Sequence, residues 1–403
     1  MTLRFLVIAQ DLRISGTSEG VVSRSFLAKL RMAYPNALID VLYLKTHTGE
    51  DDLGLLPVNT IDSHEISLKP QFYIKWLNRI SIRLFHISLY DKHIHKLFAK
   101  YIAKVDHEKY DYVFVRSSGV NHETILATKD LPILKKSIIN FHDPYPFFWY
   151  PGSNAKLTGS ELFRLKKMSL VIKQAKLCTS PSKLLSKDLD FLYASNNKFR
   201  VLPHQYSSSV FNLTQESKKY LKKKKVIISY HGSVQFGRDL DVLLDSYNEL
   251  VLENLEIKAE TEIRIRLKTN EFERFKNKYL NNENIIILEK TDFSTSSNEQ
   301  MLESDIILIL ENGPKISNIL VGKAPFIDAT KKPVLILSPK ASELRNIVTE
   351  EKYIATYSNK KEIKNKLKDL ILNSLESNSE ISVFGDYFSD DNFKKQLKQI
   401  LEN

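Results

Sequence analysis

The chain of 403 residues contains a single cysteine, Cys178, so no internal disulfide can staple it, which suits a reducing compartment. Cys178 lies in an apolar stretch, where a buried structural thiol is the ordinary state and a nucleophile the exception. Twelve glycines and thirteen prolines are few for this length, which excludes low-complexity and collagen-like organisation. No run reaches the roughly eighteen uninterrupted apolar residues that a membrane span needs. The apolar run Phe5 to Ala9 is too short for a secretory leader but has the length of a buried first strand. The expected location is therefore cytoplasmic, with peripheral attachment at the inner face of the plasma membrane. Zinc-ligand spacing, a G-x-G-x-x-G fingerprint and any repeat of solenoid or propeller period are also missing.

What is present is an alternation of short apolar runs with helical patterns, which argues for an α/β class of parallel sheets covered by helices. The first series predicts strands near 3–9, 38–44, 111–115, 136–141, 176–179 and 199–202. The second predicts strands near 226–231, 263–268, 284–289, 305–310, 333–338 and 353–356. Two such series imply two Rossmann-like doubly wound domains facing across a cleft. Residues 1–205 are assigned to an N-terminal acceptor domain and 226–385 to a C-terminal donor domain. Residues 206–225 are read as a linker and 386–403 as a helix that packs back on the first domain. The lysine-rich stretch Lys218–Lys225 fits a solvated linker, with an interaction site as the alternative.

Net charge is +11, and it is unevenly placed. Between Ser67 and Lys104, eight Lys/Arg residues face one acid, Asp91, so this segment alone carries about +7. Lys75, Arg79 and Arg83 recur every fourth residue, as do Lys92, Lys96, Lys100 and Lys104; on helices each set is one cationic stripe. Phe72, Tyr73, Trp76, Leu77 and Ile80 supply apolar surface beside the first stripe. The pattern suits an anionic membrane surface or a lipid-diphosphate acceptor, with Lys75, Trp76, Arg79 and Arg83 as contacts. It also fits a solvated basic face over ordinary core packing. Nothing in the chain favours nucleic acid as a partner.

Four segments carry candidate chemistry. Gly16 to Gly20 follow the first strand, where glycine lets backbone approach a ligand and a helix start offers free N–H groups; a plain turn explains them as well. Asn140-Phe141-His142-Asp143-Pro144 ends a strand, where His142 can move protons or orient a sugar hydroxyl and Asp143 can hold its tautomer. The alternative is a histidine satisfying its own loop. In the third segment, Gly232 and Ser233 precede Arg238 near a helix start, and arginine forks onto phosphate oxygens. An ion pair between Arg238 and Asp239 is the structural alternative. The fourth runs from Glu311 through Asn318 to Lys323 and Asp328. Lys323 at a helix start suits a phosphate, or is a solvated lysine on a turn. A carboxylate there could accept hydrogen bonds from ribose hydroxyls.

The strand–Gly-Ser-x3-Gly-Arg-Asp–helix pattern and the later Gly-Lys-x8-Lys-Pro-Val-Leu stretch resemble retaining glycosyltransferases of family 4, which have the GT-B fold. The resemblance implies a hexosyltransferase of bacterial polysaccharide synthesis that uses a nucleotide-diphosphate sugar. Its acceptor would be a lipid-linked glycan or a polysaccharide. It also implies that Arg238 and Lys323 bind the donor diphosphate, while His142 and Asp143 border the transferred sugar. Phe326 stands where that family's ribose-binding glutamate is usual, with Asn318 at the place of its partner; Glu311 or Asp328 would substitute. No cofactor and no essential metal are expected, since no Asp-x-Asp pair is placed to hold Mg²⁺; Asp239 and Asp241 instead open a helix. Alternatives on the same fold are a nucleotide-sugar epimerase, an inverting transferase, or a non-catalytic nucleotide-sugar-binding protein.

Overall fold

A computed structural model describes residues 2–69, 72–147, 149–213, 224–235, 237–268, 270–313, 315–377 and 380–402. Most of the Lys218–Lys225 stretch, residues 218–223, lies outside them. The chain divides into two compact units, Met1–Val210 with Asp390–Asn403, and Phe211–Ser389.

The first unit begins β1 (Arg4–Ala9), α1 (Ser18–Ala33), β2 (Leu38–Lys45), β3 (Thr60–Glu65), α2 (Phe72–Phe85) and α3 (Leu89–Ile102). It continues β4 (Tyr112–Arg116), α4 (Glu123–Ala127), β5 (Ser137–Asn140), α5 (Gly159–Gln174), β6 (Leu177–Ser180), α6 (Lys183–Tyr193) and β7 (Phe199–Val201). All seven strands are parallel, in the order β3-β2-β1-β4-β5-β6-β7. Phe5 to Ala9 are buried without alternation, as a central strand covered on both faces must be. β3 is absent from the six strands expected of this half. Its sequence, Thr-Ile-Asp-Ser-His-Glu, is nearly all polar, because an edge strand paired only to β2 has little apolar surface to bury. Cys178 is fully buried in β6, and burial raises its thiol well above the usual range, as befits a structural residue.

The second unit runs β8 (Val226–Ser233), α7 (Asp241–Glu253), α8 (Leu255–Glu260), β9 (Thr261–Lys268), α9 (Phe272–Lys278), β10 (Ile285–Glu289), α10 (Phe293–Asn298) and β11 (Ile306–Leu310). There follow β12 (Ile316–Ser317), α11 (Ala324–Ala329), β13 (Val334–Ser338), β14 (Ala341–Ser342), α12 (Glu343–Ile347), β15 (Ile354–Thr356) and α13 (Lys360–Glu376). Its main sheet is again parallel, ordered β10-β9-β8-β11-β13-β15, and β12 pairs with β14 beside it. Both sheets start in the middle and reverse direction, between β1 and β4 and between β8 and β11. Those switch points leave a crevice at the strands' carboxyl ends.

The last helix, α14 (Asp390–Leu401), belongs to the first unit. Phe393 packs edge-on against Phe26 of α1, Tyr112 Oη donates to Leu401 O at 2.9 Å, and Lys29 pairs with Asp390.

Candidate functional site

At the switch point of the second unit, β8 ends in His231-Gly232-Ser233. Arg238 reaches back to this strand end, and its Nη1 donates to Ser233 O at 3.0 Å. Its Nε is buried and holds no hydrogen bond. Asp239 is not ion-paired to it: Asp239 Oδ1 instead accepts the Asp241 N–H at 2.9 Å, just ahead of α7.

Lys323, at the start of α11, converges on the same strand end. Its Nζ donates to His231 O at 3.1 Å and stands 4.4 Å from the centre of the Tyr230 ring. Gly232 makes this approach possible, since a Cβ there would lie 2.7 Å from Tyr230 Oη and 3.5 Å from Lys323 Nζ. Burial pushes the Lys323 amine well below its usual range, and the facing Arg238 guanidinium pushes it further. Two basic side chains thus meet at a strand end, and no carboxylate is ion-paired to either among the described residues.

Glu311, the first residue after β11, is buried, and neither carboxylate oxygen holds a hydrogen bond. Burial raises its carboxyl to about 7, against the opposing pull of the hydroxyls of Ser338, Ser342 and Ser317. Asn318 is buried in the loop that follows β12. Asp328 does not join this group. It lies at the opposite end of α11 from Lys323 and pairs with Lys331 at 3.4 Å. Phe326 is buried with its ring 6.1 Å from that of Phe293, so a core aromatic fills the place where a ribose-binding carboxylate was sought.

In the first unit the switch point is equally polar. Gly16 takes φ +91°, which a side chain would strain. Asp11 ties the loop down by accepting from Thr17 Oγ1 at 2.9 Å and pairing with Arg13 at 2.5 Å, and Thr17 then caps α1. Gly16 thus lies in the first unit, whereas the other candidate donor residues lie in the second. His142 and Asp143 follow β5. Ligand atoms of Glu19, His142 and Asp143 all lie within 4.8 Å of one another, a spacing that could also hold a metal ion. Burial raises the Asp143 carboxyl; His142 opposes that rise and Glu19 adds to it. The His142 ring sits 4.4 Å from that of buried His204, and Ser18 Oγ approaches His142 Nε2 at 3.4 Å.

Arg116, at the end of β4, is buried, with its guanidinium 4.6 Å from the centre of the Phe26 ring and Nε donating to Ser23 Oγ at 3.2 Å. Desolvation lowers it to about 9. It acts with His142 to depress His204, after burial itself. Arg116 and His204 lie outside the four candidate segments, and Glu19, inside the Gly16–Gly20 segment, carries no role in the sequence reading. A charge ending the apolar run Tyr112–Val115 was the one available sign, and it pointed to Arg116. Lys75, Trp76, Arg79 and Arg83 lie on α2, an element separate from the strand ends that carry His142 and Asp143.

Solved structures share this fold along the whole chain. Trehalose-6-phosphate synthase from E. coli, bound with UDP-2-fluoro glucose, is 12% identical with TM-score 0.64, covering 99% of both chains. HepE from Anabaena, in complex with UDP and glucose, is 13% identical with TM-score 0.64 and the same coverage. The fold is GT-B. A Listeria monocytogenes protein provisionally assigned as a UDP-N-acetylglucosamine 2-epimerase shares it at 14% identity and TM-score 0.58, over 100% of this chain and 97% of that one. No protein-family model and no curated protein matches the sequence. Each of the two Rossmann-like units thus has one switch point at the carboxyl ends of its strands.

Proposed function

We propose that the protein is a glycosyltransferase of the family 4 kind, moving a hexosyl group from a nucleotide-diphosphate sugar to a lipid-linked or polysaccharide acceptor with retention of configuration. The observation that carries this reading is the meeting of Arg238 and Lys323 at the end of β8 with no carboxylate paired to either. Two basic groups held against each other in a desolvated setting disfavour each other's charge, and a diphosphate between them would favour it. The same pair would stabilise charge on the departing nucleoside diphosphate, already oriented before the bond breaks. Gly232 and Ser233 would supply close-approaching backbone, and Glu311 and Asn318 polar groups for the nucleoside. In the first unit, Gly16, His142 and Asp143 take the sugar and acceptor chemistry, with His142 as the group able to exchange a proton. The protein works without cofactor or essential metal at the cytoplasmic face of the membrane.

Thermal shift with UDP-, GDP- and ADP-sugars tests the donor site. One nucleotide class should raise the melting temperature, and no response to any would remove the reading. Arg238→Ala should weaken that nucleotide on the order of 10- to 100-fold, the value of a lost charge-assisted contact. Turnover in EDTA should equal turnover with Mg²⁺; a collapse in EDTA would instead make Glu19, His142 and Asp143 metal ligands. The fold shared with the Listeria protein favours epimerisation as a second reading. Donor converted to its epimer without any acceptor would establish that activity in place of transfer.

A further inference from the structure

Helix α2 is amphipathic in the wrong sense for a helix of a globular core. Its protein-facing side carries Ile74, Asn78, Ser81 and Ile82, all buried or half-buried. Two of these are polar and serve as anchors: Asn78 Oδ1 accepts the Tyr90 N–H at 3.1 Å, and Ser81 Oγ donates to Ile87 O at 2.8 Å. Its outer side carries Phe72, Tyr73, Trp76, Leu77, Ile80 and Leu84, all exposed. Phe72 is 88% and Trp76 62% accessible, against the near-zero accessibility of aromatic core residues such as Phe98 on the neighbouring α3. At 100° per residue these six side chains span an arc of roughly 140°. Elsewhere in the described chain, exposed large apolar residues stand singly or in small groups. A continuous patch of this kind marks a surface that is covered in use.

The charges beside the patch identify the cover. Lys75, Arg79 and Arg83 fall along one edge of the apolar arc, and α2 has no acid. None of the three is in an ion pair among the described residues, whereas many other cations are paired, for example Arg164 with Asp91 and Arg264 with Glu262. An open cavity of about 1040 Å³ lies at the root of the helix, where Lys69, Lys75 and Arg79 join Lys45 against the single acid Glu65. A second copy of this chain would bring the same three cations against one another, so the patch is not made for itself. A bilayer of anionic lipid supplies both requirements at once, acyl chains for the arc and headgroup phosphates for its cationic edge.

We infer that the outer face of α2 docks the first unit on an anionic lipid bilayer, the helix lying in the plane of the interface. Trp76 and Phe72 enter the acyl boundary. Lys75, Arg79 and Arg83 stay at headgroup level, their alkyl stems lying along the apolar arc. This inference rests on the first unit alone and stands whether or not the donor assignment holds.

Sedimentation of the full-length protein with vesicles, in the absence of any nucleotide, tests it. The protein should pellet with phosphatidylcholine vesicles containing about one-third phosphatidylglycerol, and much more weakly with phosphatidylcholine alone. Replacing Lys75, Arg79 and Arg83 together by Gln should weaken binding to the anionic vesicles roughly 100-fold, since each cation near such a surface is worth about a factor of five. Trp76→Ser with Leu84→Ser should abolish it. All five positions are exposed or at a helix rim, so unchanged circular dichroism is the folding control. Should a variant fail that control, quenching of Trp76 by brominated lipid in the Trp149→Phe protein reads insertion with α2 intact. Wild-type protein left in the supernatant, variants that bind as well as wild type, or an unquenched Trp76 would each overturn the inference. So would a dimer that Trp76→Ser dissolves without any vesicle binding.

Discussion

Glu311 is buried at a strand's carboxyl end with neither oxygen hydrogen-bonded, a state that costs stability unless a ligand completes it. Its carboxyl is raised from 4.5 to about 7. Below the unfolded value both states hold the proton and Glu311 adds no pH dependence. Between the two values the unfolded chain ionises while the folded one does not, so stability falls as pH rises. Above about 7 the whole penalty is present, roughly 3 kcal/mol for such a shift. Glu311→Gln should therefore melt with wild type near pH 4.5 and above it at pH 8, as followed by circular dichroism. Equal pH slopes for the two proteins would show that the carboxyl is not shifted. The same residue scale shows how much of the candidate site is legible in the sequence. His142, Arg238 and Lys323 could be picked out because each sits in a short motif beyond an apolar run. The grouping of Glu19, Arg116 and His204 around His142 could not, because helix start, strand end and loop converge only once the sheet is built.

At the scale of elements, periodicity was a good guide where one face is buried and a poor one where it is not. In α14 Phe393, Leu397, Ile400 and Leu401 recur at helical spacing, and all four are buried. β3 gives no such signal, since hydrogen bonds to β2 rather than side-chain burial define it. For α2 the period is present and the side is reversed: the apolar arc faces out. The spacing of apolar residues fixes that a stripe exists, while its direction depends on what the neighbouring helix α3 offers. The contribution of α14 can be measured directly. Phe393 is almost fully buried against Phe26, so Phe393→Ala should cost about 3 kcal/mol through lost burial and the cavity left behind. Urea denaturation would read this as a lower midpoint; a shift below about 0.5 kcal/mol, typical of a surface site, would mean α14 is not part of that core.

At the scale of the whole molecule, the alternation of runs was enough to give two parallel sheets. Sequential βα units join neighbouring strands by short crossovers, and two central starting strands, β1 and β8, leave few other orders open. Strand order in turn decides where ligands can bind, because only at a switch point do adjacent loops part. The two switch points differ in charge, and that difference makes their ligand preference testable. The end of β8 presents Arg238 and Lys323, whereas the β1 and β5 loops present Glu19, Asp143 and His142. A nucleoside diphosphate should therefore prefer the second unit. Hydrogen–deuterium exchange with and without saturating UDP, the nucleotide present in the HepE complex, reads this without an acceptor or a sugar. Protection should concentrate at the β8–α7 loop and in the segment from Glu311 to Lys323. At a hundred times its dissociation constant the nucleotide should add about 2.7 kcal/mol of stability. If protection fell instead on the Gly16 loop and His142, the anion would have chosen the acidic edge, and the electrostatic argument for the donor site would fail.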